Sequence, residues 1–263
     1  MKVKISQISN LLLFGLIFIL MSSCHQSESF DDIIKSSTSN ECSYLSIDKD
    51  PMNEPLTPEE ELILKEAFTR ITIINDNGFR KIKQTCGAEI NISEPLFEFF
   101  FTIVEKSNHN TNYQTTRTET EFNDCVARTI YYFATLFGTP ESFNSINNWI
   151  TQRYGVLGIE LRQIDRVVRQ FLTAESIDAS YYISSMTANS NNKLFLVIRI
   201  YENGVLTKYH AVAYMSHGGN DIVYYDPQAA EYLREHPNAN ISQYNICTFD
   251  DIVQAYKITD IKR

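Results

Sequence analysis

Apolar positions recur along the chain with two periods, and the change from one to the other divides it. In LTPEEELILKEAFTRITII (56–74), Ile63, Ala67, Ile71 and Ile74 fall on one face of a helical repeat. Thr57 suits the N-cap, Pro58 the first turn and Glu60 the third position of a capping box. NDNG (75–78) is expected to end that helix. LFEFFFTIVEK (96–106) is crowded with aromatic residues and reads as core, either helix or strand. The polar run 107–121 reads as a loop. A second amphipathic helix begins at Cys125, with Val126, Ile130, Phe133 and Phe137 in register and Gly138-Thr139-Pro140 closing it. NSINNWITQRYG continues as helix or irregular structure, and GIELRQIDRVVRQFL carries Ile164, Val167, Val168 and Phe171 at helical spacing.

Beyond residue 193 the character turns β-branched and aromatic. KLFLVIRIYENG (193–204), KYHAVAYM (208–215) and DIVYYD (221–226) predict three strands, the last two a hairpin about Gly218-Gly219. Helices first and an antiparallel sheet second indicate an α+β fold. Residues 56–112 are expected to form a small helical subdomain and 113–263 the main domain.

Composition changes this picture mainly at the N-terminus. Lys2 and Lys4 precede the apolar run LLLFGLIFILM (11–21), which Ser22-Ser23-Cys24 follows. A basic start, a short apolar stretch and small residues form a secretory signal over 1–23. LMSSC resembles the bacterial lipobox, which implies a lipidated Cys24, a membrane anchor through that lipid and a place in the bacterial cell envelope. The Ser-rich segment 24–55 then reads as a polar tether. The full chain carries −9, and loss of the two lysines takes it to −11. Such acidity gives no footprint for nucleic acid. With no CxxC or HExxH motif, neither a metal nor a cofactor is expected. An oxidising exterior permits disulfides, and Cys42 with Cys86 is a candidate pair whose assignment stays open. Cys247 reads as buried, the lone Trp149 as core, and His217 as a solvated turn residue.

The chemistry centres on FNDCVARTIYYFATLFG (122–138). Asn123 or Asp124 suits the helix cap, which puts the Cys125 sulfur in the first turn. There the unpaired N–H groups and the helix dipole favour a thiolate. Asp124 works against this through its own charge, so it must be turned away or engaged as the cap. In the predicted hairpin His210 and Asp226 lie opposite each other to within one residue of register. A carboxylate beside an imidazole fixes its tautomer and stabilises its cation. Cys125 as nucleophile, His210 as base and Asp226 as orienter thus make a coherent set.

A cysteine at a helix start, a His-led strand some 85 residues on, and a strand ending in Asp-Pro resemble the papain-like fold. The likeness is to bacteriocin-processing, double-glycine leader peptidases in particular. It covers roughly residues 113–230 and implies a Cys125–His210–Asp226 triad and a peptide or protein substrate; a monomer is expected. That family usually places a glutamine several residues before the cysteine to donate to the oxyanion. Here the sixth position back is Glu119, and Gln114 is eleven back, leaving Asn123 or Gln114 as candidate donors beside the Cys125 N–H. Val126 stands where a glycine is common. YYDPQ, with Gln228 two beyond the acid, also resembles papain-fold toxins that deamidate glutamine. Three classes follow: a lipid-anchored cysteine peptidase, a protein glutamine deamidase, and a catalytically inactive papain fold used as a surface binding module.

Overall fold

The computed structural model describes residues 43–262 apart from 53, 55, 110–123, 139–140, 156–157, 188–191, 203–204 and 240. The chain divides into two units, Met1–Cys42 and Ser43–Arg263. The first lies outside the described residues, and with it the expected signal segment, Cys24 and Cys42.

Helix α1 (Pro58–Arg70) starts as its sequence dictates. The Thr57 hydroxyl accepts from the Glu60 N–H at 3.2 Å while the Glu60 carboxylate accepts from the Thr57 N–H at 2.7 Å. It ends earlier than the apolar periodicity suggests. Strands β1 (Ile73–Asp76) and β2 (Phe79–Ile82) pair in register Asp76↔Phe79, with Asn77 and Gly78 both at positive φ between them. An Asn-Gly pair adopts this turn readily, whereas β-branched Ile73 and Ile74 lose rotamer freedom in a helix, so the hairpin wins over helix continuation.

Helix α2 (Glu94–His109) resolves the ambiguous aromatic segment as helix. Leu96, Phe97, Phe99, Phe100, Ile103 and Val104 are buried, while Phe101 is 41% exposed. Leu45 bridges Ile92, its N–H donating to the Asn91 carbonyl at 2.9 Å, and Ile47 is buried beside it. The chain is therefore packed from residue 45, which shortens the expected 24–55 tether. Cys86 is a half-buried free thiol.

The main sheet has six antiparallel strands in the order β3-β8-β4-β5-β6-β7. These are β3 (Leu172–Ser176), β4 (Lys193–Glu202), β5 (Val205–Gly218), β6 (Asp221–Tyr225), β7 (Tyr244–Thr248) and β8 (Ile252–Ile261). Only β4, β5 and β6 were legible as strands. Helices α3 (Cys125–Leu136), α4 (Phe143–Tyr154) and α5 (Ile164–Phe171) bury Ile130, Phe133, Ile150 and Val167 against Phe195, Val197, Ala211, Ala213 and Tyr256. Alternate residues of the same strands, Leu194, Leu196, Val212, Tyr214 and Tyr224, pack on the opposite side with Ile183 of α6 (Ala179–Ser184). That alternation is the period-two geometry of a strand.

Helices α1 and α2 pack onto the sheet as well, over Met215, Val223, Tyr244 and Ile246. Tyr225 touches both this cluster and the one beneath α3. The expected separate subdomain 56–112 is therefore corrected: its apolar faces complete the core of one unit beginning at Ser43. Each fully buried Phe or Leu there contributes about 1.5–3 kcal/mol relative to exposure.

Candidate active site

The β5–β6 hairpin sets the site, though not by the register expected. Its turn is Gly219-Asn220, one residue later than expected, with Gly219 at φ +59° and Gly218 paired with Asp221. A bulge between Tyr214 and Ser216 then moves the ladder by one, and the last pair is Ala213↔Tyr225. Val212, not His210, is the next position opposite Asp226. The His210 and Asp226 side chains nevertheless meet diagonally, with Nε2 2.9 Å from Oδ2. Diagonal neighbours on a pleated face remain within reach of long side chains. His217, expected in the turn, is instead a half-buried strand residue with Nδ1 2.7 Å from the Tyr214 hydroxyl.

Asp226 is held by two structural tasks at once. It is the N-cap of α7 (Pro227–Glu235), and its Oδ1 accepts the Gln228 and Ala229 N–H groups at 2.9 and 3.1 Å. Pro227 fills the first helical position, where a missing N–H costs nothing. With Oδ1 bound by the helix, Oδ2 points to the imidazole. Both His210 and Asp226 are buried. Burial opposes a charge on the ring, but the Asp226 carboxylate outweighs it by charge and hydrogen bond, and Cys125 adds to it. The imidazolium is therefore held well above the ordinary histidine range.

Cys125 opens α3 and is 9% exposed. It makes a hydrogen-bonding contact with the imidazole. With Asp226 on Nε2, Nδ1 is the ring nitrogen left for a second partner. The helix is fixed against the strand by Thr129, whose hydroxyl donates to the Ala211 carbonyl at 3.0 Å. That carbonyl lies just beyond the last β5–β6 pair, so α3 begins where β6 has ended. His210, Asp226 and Cys125 come from three elements that converge at one corner.

Asp124 occupies the N-cap position but its side chain makes no capping bond. It turns to Arg128, 2.6 Å away through Nε, and accepts from the Gln228 carboxamide. Sequence reasoning gave Arg128 no role and brought in Gln228 only through the likeness of YYDPQ to papain-fold deamidases. The signals were present: Asp-Pro-Gln is a helix start, and Asp124 with Arg128 is an i, i+4 pair. Asn123 and Gln114, the candidate oxyanion donors, lie outside the described residues. A cavity of about 570 Å³ lined by Tyr132, Tyr225, Tyr244, Glu61 and Arg234 lies among α1, α3, α7 and the sheet; none of the three site residues lines it.

No protein-family model matches the chain, and no curated protein matches it either. Among solved structures it is similar to the peptidase domain of Streptococcus ComA, a bifunctional ABC transporter involved in quorum sensing. The two are 12% identical with a TM-score of 0.36, over 52% of this chain and 92% of that domain.

Proposed function

We propose that the chain is a papain-like cysteine hydrolase that acts as a peptidase, with Cys125 as nucleophile, His210 as base and acid, and Asp226 as orienter. The observation that carries this reading is the buried imidazole set between a carboxylate fixed by a helix cap and a cysteine at a helix N-terminus.

In this reading the Cys125 proton passes to His210 Nδ1, and the sulfur attacks the scissile carbonyl carbon. The C=O π-pair moves to oxygen, and the oxyanion is met by the Cys125 N–H with Asn123 or Gln114 as second donor. The oxyanion collapses, the C–N bond breaks, and the leaving amine takes the proton from His210. Water, deprotonated by His210, then cleaves the thioester, and the proton returns to the sulfur. Asp226 keeps Nε2 protonated throughout, so that Nδ1 is the nitrogen that exchanges the proton. The lipidated Cys24 expected from the sequence places the enzyme on the cell envelope, acting on peptides outside the cytoplasm. A tethered enzyme suits local processing of peptides better than it suits a released deamidase.

The test supplies the protein with a peptide library and, in parallel, with glutamine-containing folded proteins. New peptide N-termini that vanish in Cys125→Ala support the peptidase. Ammonia released without chain cleavage assigns the deamidase. Neither product, with ligand capture retained, leaves a binding module.

A further inference from the structure

An acidic residue directly before a nucleophilic cysteine poses a physical problem. A second negative charge beside a thiol opposes its ionisation, and Asp124 is covalently next to Cys125. It is also not engaged as the helix cap. What constrains it instead is a network reaching across the sequence. Its Oδ2 lies 2.6 Å from Arg128 Nε, and its Oδ1 accepts from the Gln228 carboxamide. Arg128 is pinned in turn, with Nη1 3.6 Å from Glu231 of α7 and the guanidinium 4.3 Å over the Phe143 ring of α4. Arg234 closes the network on the same Glu231 oxygen.

Gln228 links the two acids of the site. Its backbone N–H donates to Asp226 Oδ1, and its buried carboxamide donates to Asp124. One residue thus ties the orienter of His210 to the residue preceding Cys125. Among the described residues, the ion-paired groups around Asp124 and His210 are Arg128 from α3, Asp226 at the α7 cap, and Glu231 and Arg234 from α7. Arg128 is the cation nearest the Asp124 carboxylate, and Gln228 supplies a neutral donor where a second acid would repel.

We propose that Gln228 and Arg128 are positioning residues for the Cys125 thiol, holding both oxygens of the Asp124 carboxylate and turning its charge away from the sulfur. This rests on the reading of Cys125 as nucleophile. It assigns Gln228 a role distinct from contact with substrate: without it, Asp124 is released on one side and its charge acts on the thiol.

The test is the rate of iodoacetamide labelling at Cys125, read by mass spectrometry from pH 5 to 9 on the full chain. Gln228→Ala is expected to move the midpoint of the profile up by about half a pH unit to one unit and to slow labelling ~3–10-fold near neutrality. Asp124→Asn removes the charge, so Asp124→Asn with Gln228→Ala is expected to match Asp124→Asn alone. A merely structural role for Gln228 predicts instead that the effects of the two substitutions add. Should Gln228→Ala fail to fold, as judged by its thermal transition, Arg128→Gln serves in its place, with the same upward movement and the same rescue by Asp124→Asn. A wild-type profile in Gln228→Ala, or additive effects in the double variant, overturns the inference while leaving an activated Cys125 standing. A wild-type Cys125 that labels like an ordinary thiol overturns the nucleophile reading and this inference with it.

Discussion

Two buried cysteines in one chain have opposite surroundings. Cys247 is 5% exposed and Cys125 9%, so burial alone does not tell them apart. Cys247 sits mid-strand in β7, paired with Ile222 and packed among Leu194, Val212 and Tyr224. Burial pushes its thiol far up, the Asp251 carboxylate adds to that, and Arg80 offsets only part of it. Cys125 sits instead at a helix start with a charged-capable imidazole against it and a fixed carboxylate behind that ring. A buried cysteine in apolar surroundings is an inert filler. The same side chain beside a base and a helix N-terminus has the parts of a nucleophile. The comparison locates function in neighbours rather than in the residue.

The comparison breaks first on turnover. Cys125→Ala is expected to abolish peptide cleavage, a loss of at least ~10³-fold, whereas Cys247→Ala keeps kcat/KM within about threefold; steady-state assays on a cleaved peptide decide it. Next in size is Asp226→Ala. It strips the imidazole of its carboxylate partner and α7 of its cap together, so under the proposed mechanism a ~10²–10⁴-fold loss in kcat is expected with about 0.5–2 kcal/mol of stability. Asp226→Asn keeps a capping oxygen, so it should recover most of the stability but not the activity, as denaturant titration beside kinetics will report.

The pH dependence of stability sharpens the contrast. His210 holds its proton more tightly folded than unfolded, so its contribution is complete below about pH 6.5 and is lost as pH rises through the raised folded value. Cys247 is likewise raised, so its loss begins only above about pH 8.5, where the unfolded thiol ionises. Unfolding curves should thus show decline from near pH 6.5 in wild type and in Cys247→Ala, but only the later, thiol-linked decline in His210→Gln. Smallest is the cost of Cys247→Ala itself, about 1 kcal/mol, seen as a modest shift in the denaturant midpoint.

Much of the site was legible because its signals are local. The helical period of Val126, Ile130, Phe133 and Phe137 announced α3, whereas the helix start at Asp226-Pro227 was present as a signal and went unread. His210 and Asp226 were placed together from hairpin symmetry, and they do meet. The route differs, because a bulge at Tyr214/Ser216 and a turn at Gly219-Asn220 have no simple sequence signature beyond the glycine pair. The fold was half legible. β8 (IVQAYKITDI) and β7 (YNICT) carry mixed polar positions because neighbouring strands, not solvent alone, set their environment. Their places in the sheet rest on long-range pairing that no window of sequence contains. The β1–β2 hairpin was masked by isoleucines that also fit a helical period, though Asn-Gly was the stronger signal. The union of α1 and α2 with the sheet was hidden for the same reason: an amphipathic face shows that something covers it, not what.

The most direct test of Cys125 as an activated nucleophile is its iodoacetamide labelling rate in the wild type and in His210→Ala, with Cys247 as the internal reference. The account predicts fast labelling of Cys125 that persists well below pH 8 and collapses in His210→Ala, while Cys247 stays unlabelled until the protein unfolds. Labelling of Cys125 at the rate of an ordinary thiol, unchanged by loss of His210, would contradict it.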